Sequence, residues 1–153
     1  MKMNIKNKVS VQLILIVSLL FTACTAKSPL APKKETLKVK KFIPDAKSCQ
    51  IYVFRKSYLG FLFLFNIYLD GRVIGSLPPG TFLHKNLKPG RYLISVITHE
   101  NRNDISFTCK EKQIYFFELQ PRTGWMSARA EIKIADPNEA TKIIKKLEMV
   151  KSY

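Results

Sequence analysis

The strongest constraint on this chain lies between residues 49 and 134. There, apolar residues follow a strand-like period, and turn signals interrupt them at short intervals. Asp70-Gly71 is a hairpin dipeptide, and Pro78-Pro79-Gly80 and Lys88-Pro89-Gly90 break the chain again soon after. Strands are predicted over 49–56, 61–69, 72–77, 81–87, 91–98, 105–109, 113–120 and 127–134. In the last of these, Ala128, Ala130, Ile132 and Ile134 share one face. The pair 105–109 and 113–120 reads as a hairpin around Lys110-Glu111-Lys112. The fold class expected is mainly β: a single antiparallel β-sandwich, immunoglobulin-like or transthyretin-like, occupying residues 48–153.

A helix is expected at about 137–151, packed on the sheet. Asp136 suits the N-cap, Pro137 the first helical position, and Glu139 stands three residues after the cap. Ala140, Ile143, Ile144, Leu147 and Val150 form its apolar stripe. Residues 58–69 are apolar on both strand faces as far as Asn66, with Phe61, Phe63 and Phe65 on one and Leu62 and Leu64 on the other. Either one face lies in the core and the other beneath the helix, or an exposed aromatic surface meets a partner or lipid.

The amino end has a different character. Lys2, Lys6 and Lys8 precede an apolar run over 9–21, and Leu20-Phe21-Thr22-Ala23-Cys24 follows. This order resembles the bacterial lipobox, with Phe21 where Leu, Val or Ile is usual. The resemblance implies a lipoprotein signal peptide at 1–23 and a mature chain that starts at a diacylglyceryl Cys24. Acyl chains stabilise membrane attachment by about 0.8 kcal/mol per buried CH₂. The expected address is the cell envelope, lipid-anchored, and in a Gram-negative source the outer membrane facing the periplasm, since Thr25 stands where an Asp could retain the protein at the inner membrane.

Removing the leader leaves 23 of the 26 basic residues against 11 acidic ones, a net charge of +12. Lysines and prolines crowd residues 24–47, which therefore read as a flexible tether spanning roughly 25 Å. Its lysines either serve only as a spacer or also touch an anionic glycan or lipid. Nucleic acid is not an expected partner outside the cytoplasm. Cys49 and Cys109 remain as an even pair in a compartment that permits disulfides, either bonded to each other or as separate buried thiols.

No catalytic or metal-binding constellation is legible. His84 and His99 stand far apart, and the polar loop with Glu100, Asn101, Asn103 and Asp104 lacks the glycine and terminal Glu of a calcium loop. No cofactor is expected. A binding surface is drawn speculatively from four residues. Arg55 either is buried and needs a carboxylate or carbonyl partner, or snorkels at the sheet edge. Trp125, with Arg122 and Arg129, either forms a recognition edge or covers the end of the sandwich.

The segments Ile51-Tyr52-Val53-Phe54-Arg55, Ile67-Tyr68-Leu69-Asp70-Gly71 and Leu87-Lys88-Pro89-Gly90-Arg91-Tyr92 resemble bacterial lipoproteins carrying Domain of Unknown Function 2846. The resemblance covers about residues 49–134 and implies a small envelope-facing β domain behind a lipid anchor. It carries no functional residues over. The expected function is a non-catalytic binding or structural module of the envelope, acting on an envelope protein or an anionic glycan or lipid. The alternative is an envelope hydrolase or an enzyme-regulating module.

Overall fold

Strand β1 (Cys49–Arg55) is buried at every position, and the architecture follows from that. A continuous run of β-branched and aromatic side chains needs cover on both faces. The computed structural model describes residues 28–153 and supplies both covers. Ile51 and Val53 face a core shared by two sheets, and Tyr52 and Phe54 face a second apolar cluster on the outer side. Full burial of such side chains is worth roughly 1.5–3 kcal/mol each.

The remaining strands are β2 (Phe65–Leu69), β3 (Arg72–Leu77), β4 (Thr81–Leu87), β5 (Gly90–Ile97), β6 (Arg102–Cys109), β7 (Ile114–Thr123), β8 (Ala128–Ile134) and β9 (Glu148–Met149). One sheet has the order β8-β7-β1-β4-β9 and the other β3-β2-β5-β6. The expectation of an all-antiparallel fold is corrected here, because β1 pairs in parallel with β7 and β4 in parallel with β9. Asp70 and Gly71 turn β2 into β3 with φ of 48° and 77°, the left-handed pair that a tight hairpin demands. Residues 110–113 are not a hairpin turn. They carry the chain from β6 in one sheet to β7 in the other.

Helix α1 (Lys33–Val39) and helix α2 (Pro137–Ile144) lie on the outer side of the five-stranded sheet. Asp136 caps α2 by accepting from the Asn138 and Glu139 amides, as the sequence pattern predicts. Ala140 and Ile144 reach the cluster of Tyr52, Phe54, Phe82 and Phe116. The helix is shorter than expected, ending at Ile144, because the chain beyond it joins the sheet instead. The Glu148 amide donates to Gly80 O and the Val150 amide to Phe82 O, which satisfies the open edge of β4.

The tether is likewise corrected over 28–47. Leu30 bridges Val150, the Ala31 amide donates to Met149 O, and Phe42 packs 5.2 Å from the Tyr52 ring. The Tyr52 hydroxyl donates to Val39 O at 2.8 Å, and Lys40 Nζ donates to the carbonyls of Lys145 and Leu147. Ala31, Val39 and Phe42, scattered among lysines, pack this segment against the outer cluster of the sheet. The expected signal peptide, Cys24 and the first residues of the expected tether lie outside the described residues.

Candidate functional site

Arg55 closes β1 with 0% of its surface exposed, so it does not snorkel at the sheet edge and contributes no side chain to a binding surface. Its guanidinium meets carbonyls rather than a carboxylate. Nη1 donates to Phe63 O at 2.8 Å and Leu77 O at 3.1 Å. Nη2 donates to Leu59 O and Gly60 O at 2.8 Å each, and Nε to Ser57 O at 3.3 Å. The Phe65 ring lies 4.8 Å away, in cation–π contact. Burial lowers the Arg55 pKa to about 10, and five carbonyl dipoles keep the charge in place.

Four of those carbonyls belong to residues 56–64, the connection from β1 to β2, so the buried cation dictates the shape of that loop. Gly60 adopts φ of 64°, which aims its carbonyl at Arg55. Its side chains point the other way. Tyr58, Leu59, Phe61, Leu62, Phe63 and Leu64 are all exposed, Leu62 to 76% and Phe61 to 69%. The strand predicted from residue 61 therefore begins only at Phe65, and α2 lies on the opposite sheet. Burial beneath that helix is overturned, and residues 58–64 are an exposed apolar surface.

A second loop completes this end of the body. Glu100 accepts from the backbone amides of Trp125 (2.8 Å) and Met126 (2.6 Å), from that of Ser127, and from Arg129 Nε at 3.1 Å. Those backbone amides, Ser127 foremost, hold the Glu100 carboxyl down to about 2. The turn so gripped leaves Trp125 92% and Met126 89% exposed, so Trp125 does not cover the end of the fold. Arg122 and Arg129 face each other across β7 and β8, and each has a carboxylate: Arg122 reaches Glu131 at 3.3 Å and Arg129 reaches Glu100. A groove of about 440 Å³ lined by Phe63, Phe65, Ile97, His99 and Ala128 joins the two loops.

The rest of the polar loop is structural. Asn101, just before β6, exchanges hydrogen bonds with the amide and carbonyl of Ala130, and Asn103 within β6 accepts from the Ile132 amide, joining that side of one sheet to β8 of the other. Among the described residues, no group of three His, Cys, Asp or Glu side chains is placed to hold a metal ion. Cys49 and Cys109 are bonded, with Cα atoms 5.7 Å apart, and link the two sheets at the end opposite Arg55. A cleft of about 610 Å³ lies under α1, lined by Lys38, Lys41, Asp45, Gln50, His84 and Lys85. His84 Nε2 and Gln50 Oε1 are buried near it without a hydrogen-bond partner among the described residues.

The sequence marks Arg55 as a residue that needs partners if buried, but it does not mark Glu100 as the residue that shapes the Trp125 turn, and it extends β2 too far. The signal for the latter was present. A buried Arg without a nearby acid needs several carbonyls at once, and an irregular loop beside it supplies them.

A family model described as a protein of unknown function, DUF2846, matches residues 45–131, more than half of the chain. The chain belongs to that family. An uncharacterized protein of Haemophilus influenzae is 28% identical over 138 residues, which is 90% of this chain and 82% of the relative. The DUF2846 match takes in Arg55, its loop, both bonded cysteines and the Glu100 turn. It leaves α1, α2 and β9 outside.

Proposed function

We propose that this protein is a lipid-anchored component of the cell envelope whose two sheets form a β-sandwich, immunoglobulin-like or transthyretin-like, serving as a non-catalytic binding or structural module. The observation that carries the reading is the use to which Arg55 is put. A fully buried cation is devoted to five carbonyls, and the product is a shaped loop with its large apolar side chains facing outward. Glu100 does the same for the Trp125 turn. Groups that acid–base chemistry would draw on are here engaged in holding a contact surface.

The anchor reading rests on the leader pattern and Cys24, and the address is the outer membrane facing the periplasm where the source is Gram-negative. Mass spectrometry of the protein from its own envelope tests it. A first residue at Cys24 carrying acyl chains is expected, and an unmodified or differently placed first residue refutes the anchor.

The second reading, an envelope hydrolase or an enzyme-regulating module, draws on the cleft beside His84, where unpaired polar atoms and three lysines suit a small polar ligand. Turnover or inhibition in a panel of envelope substrates and enzymes, lost in His84→Gln, would favour it over the first.

A further inference from the structure

Ser28, the first described residue, lies at the end of the body that carries the apolar loop. Ser28 is buried, and its hydroxyl donates to Ser76 O at 2.9 Å. Ser76 is next to Leu77, whose carbonyl is itself an Arg55 acceptor. Only four peptide steps separate Cys24 from Ser28. Extended backbone covers at most about 3.6 Å per residue, so an acylated Cys24 holds this edge within about 14 Å of its leaflet.

We infer that residues 58–64, together with Trp125 and Met126, insert into the interface of the leaflet that carries the anchor, as a second and reversible membrane contact. The geometry rests on the anchor reading; the loop chemistry stands apart from it. A loop seated at the headgroup boundary leaves the backbone groups of Phe61 and Leu62 to interfacial water, and its other carbonyls need partners within the protein. Arg55 takes up the carbonyls of Ser57, Leu59, Gly60 and Phe63. The Phe63 amide donates to Gly60 O, and the Leu59 amide to Ser57 Oγ.

Three further features favour lipid over a protein partner. Leu and Phe occupy the loop, while Tyr58 and Trp125, apolar bodies with a polar handle, stand beside them in the manner of interfacial anchors. The cations nearest the loop are paired, with Lys56 3.1 Å from Glu118, and Arg122 and Arg129 engaged as described, so insertion strips water from no lone charge. All 11 acidic residues but only 22 of the 26 basic ones lie in 28–153, which leaves a net charge of +11 to draw the body toward an anionic surface. The Arg55 clamp also fixes the loop beforehand, which lowers the ordering cost of binding.

The test uses the mature chain with Cys24→Ala, so that no acyl chain is present, and vesicles of phosphatidylethanolamine with phosphatidylglycerol. Trp125 is the one tryptophan of the chain and reports directly. Co-sedimentation is expected with a blue shift of its emission and quenching by brominated acyl chains, and weaker binding to phosphatidylcholine. Phe61→Asp with Leu62→Asp should weaken partitioning at least about tenfold while leaving the circular dichroism spectrum unchanged. Absence of binding and of any Trp125 shift overturns the inference, as does equal binding by the double variant. Vesicle binding by a chain whose native form carries no acyl group would refute the anchor and keep the loop; an acylated chain that fails here does the reverse. A photoactivatable leucine analogue at Leu62 in whole envelopes is expected to form lipid adducts, and a single discrete protein adduct overturns the inference in favour of a protein partner.

Discussion

Cys49 and Arg55 are the first and last residues of β1, and each ties that strand to the opposite sheet. Cys49 does so through its disulfide to Cys109 at the end of β6, and Arg55 through its 3.1 Å bond to Leu77 O at the end of β3. The central strand of one sheet is thereby pinned to the other at both ends, once covalently and once by a charge-assisted hydrogen bond. The sheets are held apart and in register between those two points by Ile51 and Val53.

Replacing Arg55 by Met keeps the length of the side chain and removes all its donors. The Leu77 carbonyl then loses its buried partner and the loop loses its clamp, at an expected cost on the order of 3 kcal/mol. Urea unfolding measures this, and limited proteolysis should find new cleavage within residues 56–64. Arg55→Lys should recover only part of the loss, since an ammonium offers three donors without the planar fork that spans Phe63, Leu59 and Gly60.

The disulfide closes a loop of 60 residues. On the chain-entropy account, removing it should cost about 4 kcal/mol. Denaturant midpoints of the oxidised protein and of a Cys49→Ala, Cys109→Ala variant test the figure. An unchanged midpoint would show that the packed sheets alone fix that end.

Glu100 ties acid sensitivity to one turn. Its carboxyl titrates near 4.5 when free and is held to about 2 in the fold, so the folded chain binds its proton less readily than the unfolded one. The stabilisation is complete above about 4.5 and is lost as pH falls toward 2. Trp125 emission should report loosening of the turn across that window, and Glu100→Gln should remove the pH dependence while leaving the turn loose throughout.

His84 acts over a higher window. Burial lowers its pKa from 6.5 to about 4, and its ring lies 4.8 Å from that of Tyr52. The unfolded chain takes up the proton first, so stability is full above about 6.5 and declines as pH falls toward 4. Urea midpoints measured above and below this window should converge in His84→Phe.

Phe61→Ser and Leu62→Ser should each change stability by no more than about 0.5 kcal/mol, because these side chains contact solvent rather than core. Thermal unfolding checks it. A large loss would mean that the loop supports the fold, and the apolar surface would then need no ligand to account for it.

Much of the β framework was legible because turn chemistry is local. Asp70-Gly71, Pro78-Pro79-Gly80 and Lys88-Pro89-Gly90 mark the ends of strands that the structure places at 65–69, 72–77, 81–87 and 90–97. Asp136 and Pro137 likewise start α2 where the cap pattern puts them. What escaped is nonlocal. Nothing near β1 signals that its neighbours are β7 in parallel and β4 in antiparallel pairing. Residues 148–150 complete a helical stripe in sequence and a strand in space, because an unpaired edge at β4 was available to receive them. Composition hid α1: Lys and Pro dominate 28–47, yet Leu30, Val39 and Phe42 decide where it goes. At the candidate site Arg55 was recognisable as a residue that needs partners, whereas the outward turn of Phe61 to Leu64 depends on where those partners happen to be.

The bridge between Leu30 and Val150, and the bond from the Lys151 amide to Pro29 O, bring the earliest described part of the chain against the latest. During synthesis Ser28 can meet Ser76 early, but Pro29 and Leu30 have no partner of this kind until residues 150 and 151 have been made. Closure of this edge is therefore a late event, set by the order in which the two segments are made.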